Sequence, residues 1–208
     1  MVALTFDDGP RRSTTTEILD ALEKYHANAT FFCLGIHVEG NESVIERMLS
    51  LGCEVSSHSN EHKYLTQLSP AALQKDLTAA NEALAKVIGQ RPALLRPPFG
   101  SKSTSLLAQL DVPVILWSID TQDWVYHDGV QRSDYQRQKD LEKVVNEALD
   151  LVEDGSIILM HDVFFFSADA AAEIIQRLTA QEWQLVTVSE LFAAKGIPLE
   201  PGKSYYHA

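Results

Sequence analysis

The sequence predicts an α/β fold, a mainly parallel sheet with crossover helices, and three observations carry that prediction. Short apolar runs alternate with longer stretches of helical period along the whole 208-residue chain. Ionisable residues gather directly after the apolar runs, at the strand ends where parallel sheets hold their ligands. With 45% apolar and 22% charged residues the composition suits one sizeable core, so residues 1–208 are expected to form a single domain. Periodicity alone leaves two closures open, a barrel or an open doubly wound sheet.

Residues 2–6 form the first predicted strand, followed by a helix over 13–26 with Ile18, Leu19, Leu22 and Tyr25 on one face. Strands are predicted at 29–34 and 53–57. A second helix over 69–88 opens with Ser-Pro, a cap and first-turn signal, and aligns Leu73, Leu77, Leu84 and Ile88. Strands at 93–96 and 114–119 come next, then a polar loop over 125–138 beside whatever site the preceding strand serves. A helix over 139–153, a strand at 156–160, a helix over 168–180, a strand at 184–186 and a helix over 189–194 complete the set. Cys33 and Cys53 each lie in an apolar run and read as small buried hydrophobes rather than a disulfide or a thiolate metal site.

Seventeen basic against twenty-nine acidic residues give a formal charge of -12, which excludes general attraction to nucleic acid or to an anionic membrane. A neutral or cationic partner fits better. No stretch reaches membrane-spanning length, so no membrane insertion is expected. Met1 leads straight into an apolar run without the look of a signal peptide, so a soluble chain is expected. A secreted enzyme trimmed to its catalytic domain and a cytoplasmic one would look alike here.

Five segments carry the chemistry. Thr5-Phe6-Asp7-Asp8-Gly9-Pro10 is rich in turn formers, but it also places two carboxylates side by side, one able to hold a metal while the other handles protons. In His58-Ser59-Asn60-Glu61-His62 two imidazoles four apart can meet one cation if the segment is helical or tightly turned. Joined by an Asp from a neighbouring strand end they make an Asp-His-His set. That set suits zinc, cobalt, nickel or iron better than magnesium or calcium. Leu95-Arg96-Pro97-Pro98-Phe99-Gly100 reads as a rigid loop whose Arg96 either makes a surface ion pair or holds a first-strand carboxylate. Asp120-Thr121-Gln122-Asp123-Trp124 offers an acid that tunes another group beside an indole wall. The apolar run before His161-Asp162 delivers an imidazole to the same sheet end.

Taken in order, these segments resemble the polysaccharide deacetylases, the NodB-homology group of carbohydrate esterase family 4. The TFDDGP-like, H-S/T-x-x-H, R-x-P-Y/F-G-like, D-x-x-D-W and I-V/I-L-x-H-D motifs all occur, and the likeness runs from Val2 to about Tyr205. The resemblance implies a distorted (β/α) barrel with seven or eight strands. It also implies a divalent transition metal, zinc with cobalt or nickel as substitutes, bound by Asp8, His58 and His62. Asp7 would be the general base and Arg96 would orient it. His161 would be the general acid, its proton affinity set by Asp123. Phe99 stands where the family often has Tyr and would offer its backbone N–H to the oxyanion. Trp124 and Leu159 would form an apolar pocket for the acetyl methyl, while Asp120 and Asp162 carry no assigned role.

The implied activity is removal of N-acetyl groups from N-acetylglucosamine residues of an acetylated polysaccharide or oligosaccharide, peptidoglycan or chitin-like. The implied location is extracellular or at the cell wall. O-deacetylation of acetylxylan is the alternative on the same scaffold, with a silent sugar-binding module or a small cyclic amide hydrolase behind it. A serine hydrolase is disfavoured, because no G-x-S-x-G occurs and Ser59 lies between the two expected metal ligands.

Overall fold

A computed structural model describes residues 1–129 and 131–208. Strand β1 (Ala3–Asp7) is buried along its whole length, as expected of a central parallel strand covered on both faces. It pairs in parallel with β2 (Thr30–Cys33) on one side and β6 (Ile157–His161) on the other. Outside these lie β3 (Glu54–Ser57) and β5 (Ile119–Asp120), giving the parallel order β3-β2-β1-β6-β5.

A second parallel pair, β4 (Val114–Ile115) with β7 (Ser204–Tyr205), continues the arc. Leu95 makes single bridges to Ser57 of β3 and to Val114 of β4. The chain then runs from β4 to β5 through only Leu116, Trp117 and Ser118, joining the two flanks of the arc covalently rather than through a ladder. The result is an α/β fold with a distorted, interrupted barrel, as the resemblance implied.

Helices α1 (Arg12–Tyr25), α2 (Glu42–Ser50), α3 (Pro70–Ile88), α4 (Thr104–Leu107), α5 (Asp134–Leu151), α6 (Phe165–Ala180) and α7 (Val188–Ala194) surround the sheet. The main core lies between the sheet and the pair α1 and α6, with Phe6 stacked on Phe31 at 5.0 Å. Ser69 caps α3 by accepting from the Ala72 N–H at 3.3 Å, as its Ser-Pro signal predicted. Cys33 and Cys53 are buried free thiols, and burial pushes the Cys53 thiol up to about 11.

The departures from the sequence-based expectation have local causes. Predicted strands 93–96 and 184–186 reduce to single bridges at Leu95 and Leu185. Predicted strand 114–119 is split in two, because Arg96 takes the carbonyls of Ile115 and Leu116. Helix α2 was not predicted, although its buried Val44, Ile45 and Met48 fall at helical spacing, so a periodic signal was present and went unread. Helix α5 begins at Asp134, inside the predicted 125–138 loop; its first turns are solvent-exposed and are started by a Ser133 cap. Val130 of that predicted loop lies outside the described residues. Among the described residues no helix is long and apolar enough to cross a membrane.

Candidate active site

Two adjacent residues on a regular strand point to opposite faces, so paired carboxylates at a strand end need a backbone device to share one cavity. Here β1 ends at Asp7 and Asp8 turns left-handed, with φ of 77°. Both carboxylates then line the same cavity. The Asp7 side chain is almost fully buried, and its Oδ1 accepts from Arg96 Nη1 at 2.8 Å. Arg96 is itself wholly buried. Its remaining donors go to Thr5 Oγ1 at 2.8 Å, Ile115 O at 3.1 Å and Leu116 O at 3.0 Å. Burial lowers its proton affinity and the Asp7 carboxylate opposes that shift.

The two imidazoles come from an irregular turn after β3, tight rather than helical, with Ser59 at φ 71° and His62 at φ 55°. His58 faces a carbonyl through Nδ1, which lies 2.7 Å from Arg96 O, so Nδ1 carries the hydrogen and the neutral ring presents a lone pair at Nε2. That Nε2 sits 3.4 Å from Asp8 Oδ1, and His62 Nε2 sits 3.3 Å from the same oxygen.

Three acceptors are thus turned on one point. Asp8 Oδ1 is buried with no hydrogen-bond partner, and the three ligand atoms lie within 4.8 Å of one another. Donors placed about 2.0–2.2 Å from a tetrahedral ion would stand about 3.4 Å apart, so this set fits a transition metal. The charge balance points the same way. Burial raises the Asp8 carboxyl, but the neighbouring imidazoles, His58 first and then His161 and His62, bring it down to about 2, keeping it anionic. Burial lowers the proton affinity of both imidazoles. At His58 the Asp7 and Asp8 carboxylates reverse that effect, whereas at His62 burial prevails.

Across the cavity Asp123, fully buried, holds His161 twice. Its Oδ1 lies 2.9 Å from the ring Nδ1 and its Oδ2 accepts the His161 backbone N–H at 2.8 Å. Burial opposes charging of His161, but Asp123, followed by Asp7 and Asp8, carries it from 6.5 up to about 9. Nδ1 donates to the carboxylate, so the proton at Nε2 is the one available to a bound molecule.

The cavity, about 480 Å³, is lined by Asp7, Asp8, His58, His62, Phe99, Trp124, Leu159 and His161, all singled out in the sequence. Arg96 and Asp123 stand behind them. Trp124 and Phe99 are each about half exposed, 49% and 52%, and add apolar surface to the lining. Phe99 is left-handed at φ 62°, touches His62 edge-on at 4.5 Å and stacks on Tyr64 at 4.0 Å. Trp117, Asp120 and Phe164 complete the lining.

Sequence reasoning missed Trp117, Phe164 and Tyr64. Trp117 was hidden inside a predicted regular strand. The run Phe164-Phe165-Phe166, one residue beyond His161-Asp162, was the unread signal for Phe164. Asp162, left without a role, is wholly buried: Thr15 Oγ1 donates to its Oδ2 at 2.6 Å while Oδ1 has no partner. Burial raises its carboxyl to about 7 against that hydrogen bond. A Cβ at Gly9 would stand 2.1 Å from this carboxylate, so residue 9 must be glycine for the two turns to meet.

A family model described as polysaccharide deacetylase matches residues 1–114. The peptidoglycan-N-acetylmuramic acid deacetylase PdaC of Bacillus subtilis is 43% identical over 94% of this chain, which covers 39% of that protein. The peptidoglycan-N-acetylglucosamine deacetylase PgdA of Listeria monocytogenes is 34% identical over 99% of this chain and 41% of its own length. This chain therefore spans about two fifths of those curated relatives. A family 4 acetyl xylan esterase from Clostridium thermocellum, solved in complex with a cobalt ion, superposes with a TM-score of 0.88 at 31% identity. That match covers 100% of this chain and 98% of the esterase chain.

Proposed function

The chain belongs to the polysaccharide deacetylase family, and from that premise we propose that residues 1–208 act as one catalytic unit that hydrolyses N-acetyl groups of N-acetylglucosamine residues in a polysaccharide, peptidoglycan or chitin-like. One observation carries the reading: a three-donor metal set, an Asp7–Arg96 pair and an Asp123–His161 pair all converge on one cavity. Enzymes of this family are metal-dependent. Zinc is the proposed ion, with cobalt or nickel able to replace it, on Asp8, His58 and His62. A neutral polymer suits a chain of net charge -12, and the peptidoglycan relatives support a location outside the cell or at its wall.

When bound, the cation supplies Lewis acidity, bringing the pKa of water to about 7 and polarising the acetyl carbonyl. Asp7 acts as general base through Oδ2, the oxygen that Arg96 leaves free, and takes a proton from the attacking water. The Phe99 backbone N–H is assigned to the oxyanion. Trp124 and Leu159 receive the acetyl methyl and exclude bulk water from it. Collapse of the tetrahedral centre breaks the C–N bond, and His161 delivers its Nε2 proton to the departing nitrogen while Asp123 holds Nδ1.

The test is acetate release, followed by mass spectrometry, from N-acetylglucosamine oligomers, peptidoglycan and acetylxylan side by side, for wild type and Asp7→Asn. We expect release from the amino-sugar polymers and a loss of about 10²–10⁴-fold in the variant without loss of fold. Release from acetylxylan alone would turn the assignment to O-deacetylation, a second reading that the likeness to an acetyl xylan esterase keeps open. Near wild-type turnover in Asp7→Asn would remove the general base.

A further inference from the structure

The carboxylate ligand and the two imidazole ligands sit on separate turns, and one short segment touches both. After β2 the backbone N–H of Leu34 donates to Gly9 O at 2.9 Å, beside Asp8. The next two, Gly35 and Ile36, donate to Ser59 O at 3.0 Å and Asn60 O at 3.3 Å, between His58 and His62. Residue 35 must be glycine, because a Cβ there would lie 2.4 Å from Asn60 Oδ1 and 2.7 Å from Ala80 Cα. The segment ends at His37, half-buried, whose Nδ1 lies 2.8 Å from Asp8 O. A carbonyl oxygen only accepts, so Nδ1 carries the hydrogen.

Three of these four contacts are backbone bonds; the fourth depends on a side chain. It falls on the residue whose left-handed φ of 77° lets Asp8 turn its carboxylate into the cavity beside Asp7. A left-handed non-glycine residue is held only where its surroundings over-determine it.

We infer that His37 is a positioning residue of the metal centre: by donating Nδ1–H to the Asp8 carbonyl it locks the turn that presents Asp8 Oδ1 to His58 and His62. This rests on the proposed metal set, and the experiment separates the two. His37→Leu removes the donor at similar bulk, whereas His37→Asn keeps an amide donor where Nδ1 stands. Purified metal-free protein is titrated with cobalt(II) alone, read by visible absorption, with thermal melting recorded for each variant.

The expected result is that wild type and His37→Asn bind with similar affinity and the same absorption envelope. His37→Leu should bind about 10-fold or more weakly, in the range seen when supports of metal ligands are lost, with its metal-free melt little changed. Equal affinity for His37→Leu and wild type, or equal weakening in His37→Asn and His37→Leu, would overturn the inference. If His37→Leu does not fold, His37→Ala is read in its place by the same criterion. A wild type that binds no cobalt at all would instead sink the metal set itself.

Discussion

Asp123 touches His161 at both the ring and the backbone, and the consequence is a proton held well above the ordinary imidazole range. The sign follows directly. A histidine raised from 6.5 to about 9 in the folded state is charged across neutral pH and loses its proton only as pH rises through the folded value. With His161 as the proposed general acid, the alkaline limb of kcat/KM should belong to it. It should lie below 9 in the metal-loaded enzyme, because a cation at Asp8 cancels one of the carboxylates that raise it. Asp123→Asn removes the largest favourable charge, so that limb should move down toward about 6.5, the unperturbed imidazole. A pH profile at saturating metal checks this; an alkaline limb that stays in place would show that His161 is not the titrating acid.

Among the elements, the break between β4 and β5 makes Arg96 more than an aid to Asp7. Its guanidinium closes two carbonyls that a continuous strand would have paired, those of Ile115 and Leu116, and it does so with no exposure to water. Lysine lacks the planar fork needed to reach these acceptors together. Arg96→Lys should thus lose activity and also about 1–3 kcal/mol of stability for each buried carbonyl left without its donor, measured by denaturant unfolding. A stable but inactive variant would confine Arg96 to orienting Asp7. The same arrangement explains what the sequence could show. The five motifs name every residue proposed to hold the metal or handle a proton, because such chemistry demands fixed side chains. The broken strand 114–119 and the bridges at Leu95 and Leu185 were illegible, because a guanidinium from a distant turn, rather than local propensity, decides them. Helix α5 escaped for the opposite reason: its opening turns meet only solvent and leave no apolar period to read.

For the molecule as a whole, the proposed ion binding and folding are linked, since the donors come from two separate turns that only the folded sheet brings together. A ligand bound only by the native state stabilises by RT ln(1 + [L]/Kd), about 2.7 kcal/mol at a hundredfold excess over Kd. Thermal melting in chelator should therefore occur several degrees below melting in zinc, and activity should vanish and return with the ion. Full activity in excess chelator would end the metal proposal. The left-handed backbone at Asp8, Ser59, His62, Phe99 and Gln122 sets backbone strain against side-chain chemistry. Glycine adopts that conformation without the roughly 1–2 kcal/mol that other residues incur, so a lineage chosen only for heat tolerance would drift toward glycine at these places. Glycine would ease the backbone but remove the Asp8 and His62 donors and the Phe99 ring, so the proposed site carries its left-handed turns at a standing cost in stability.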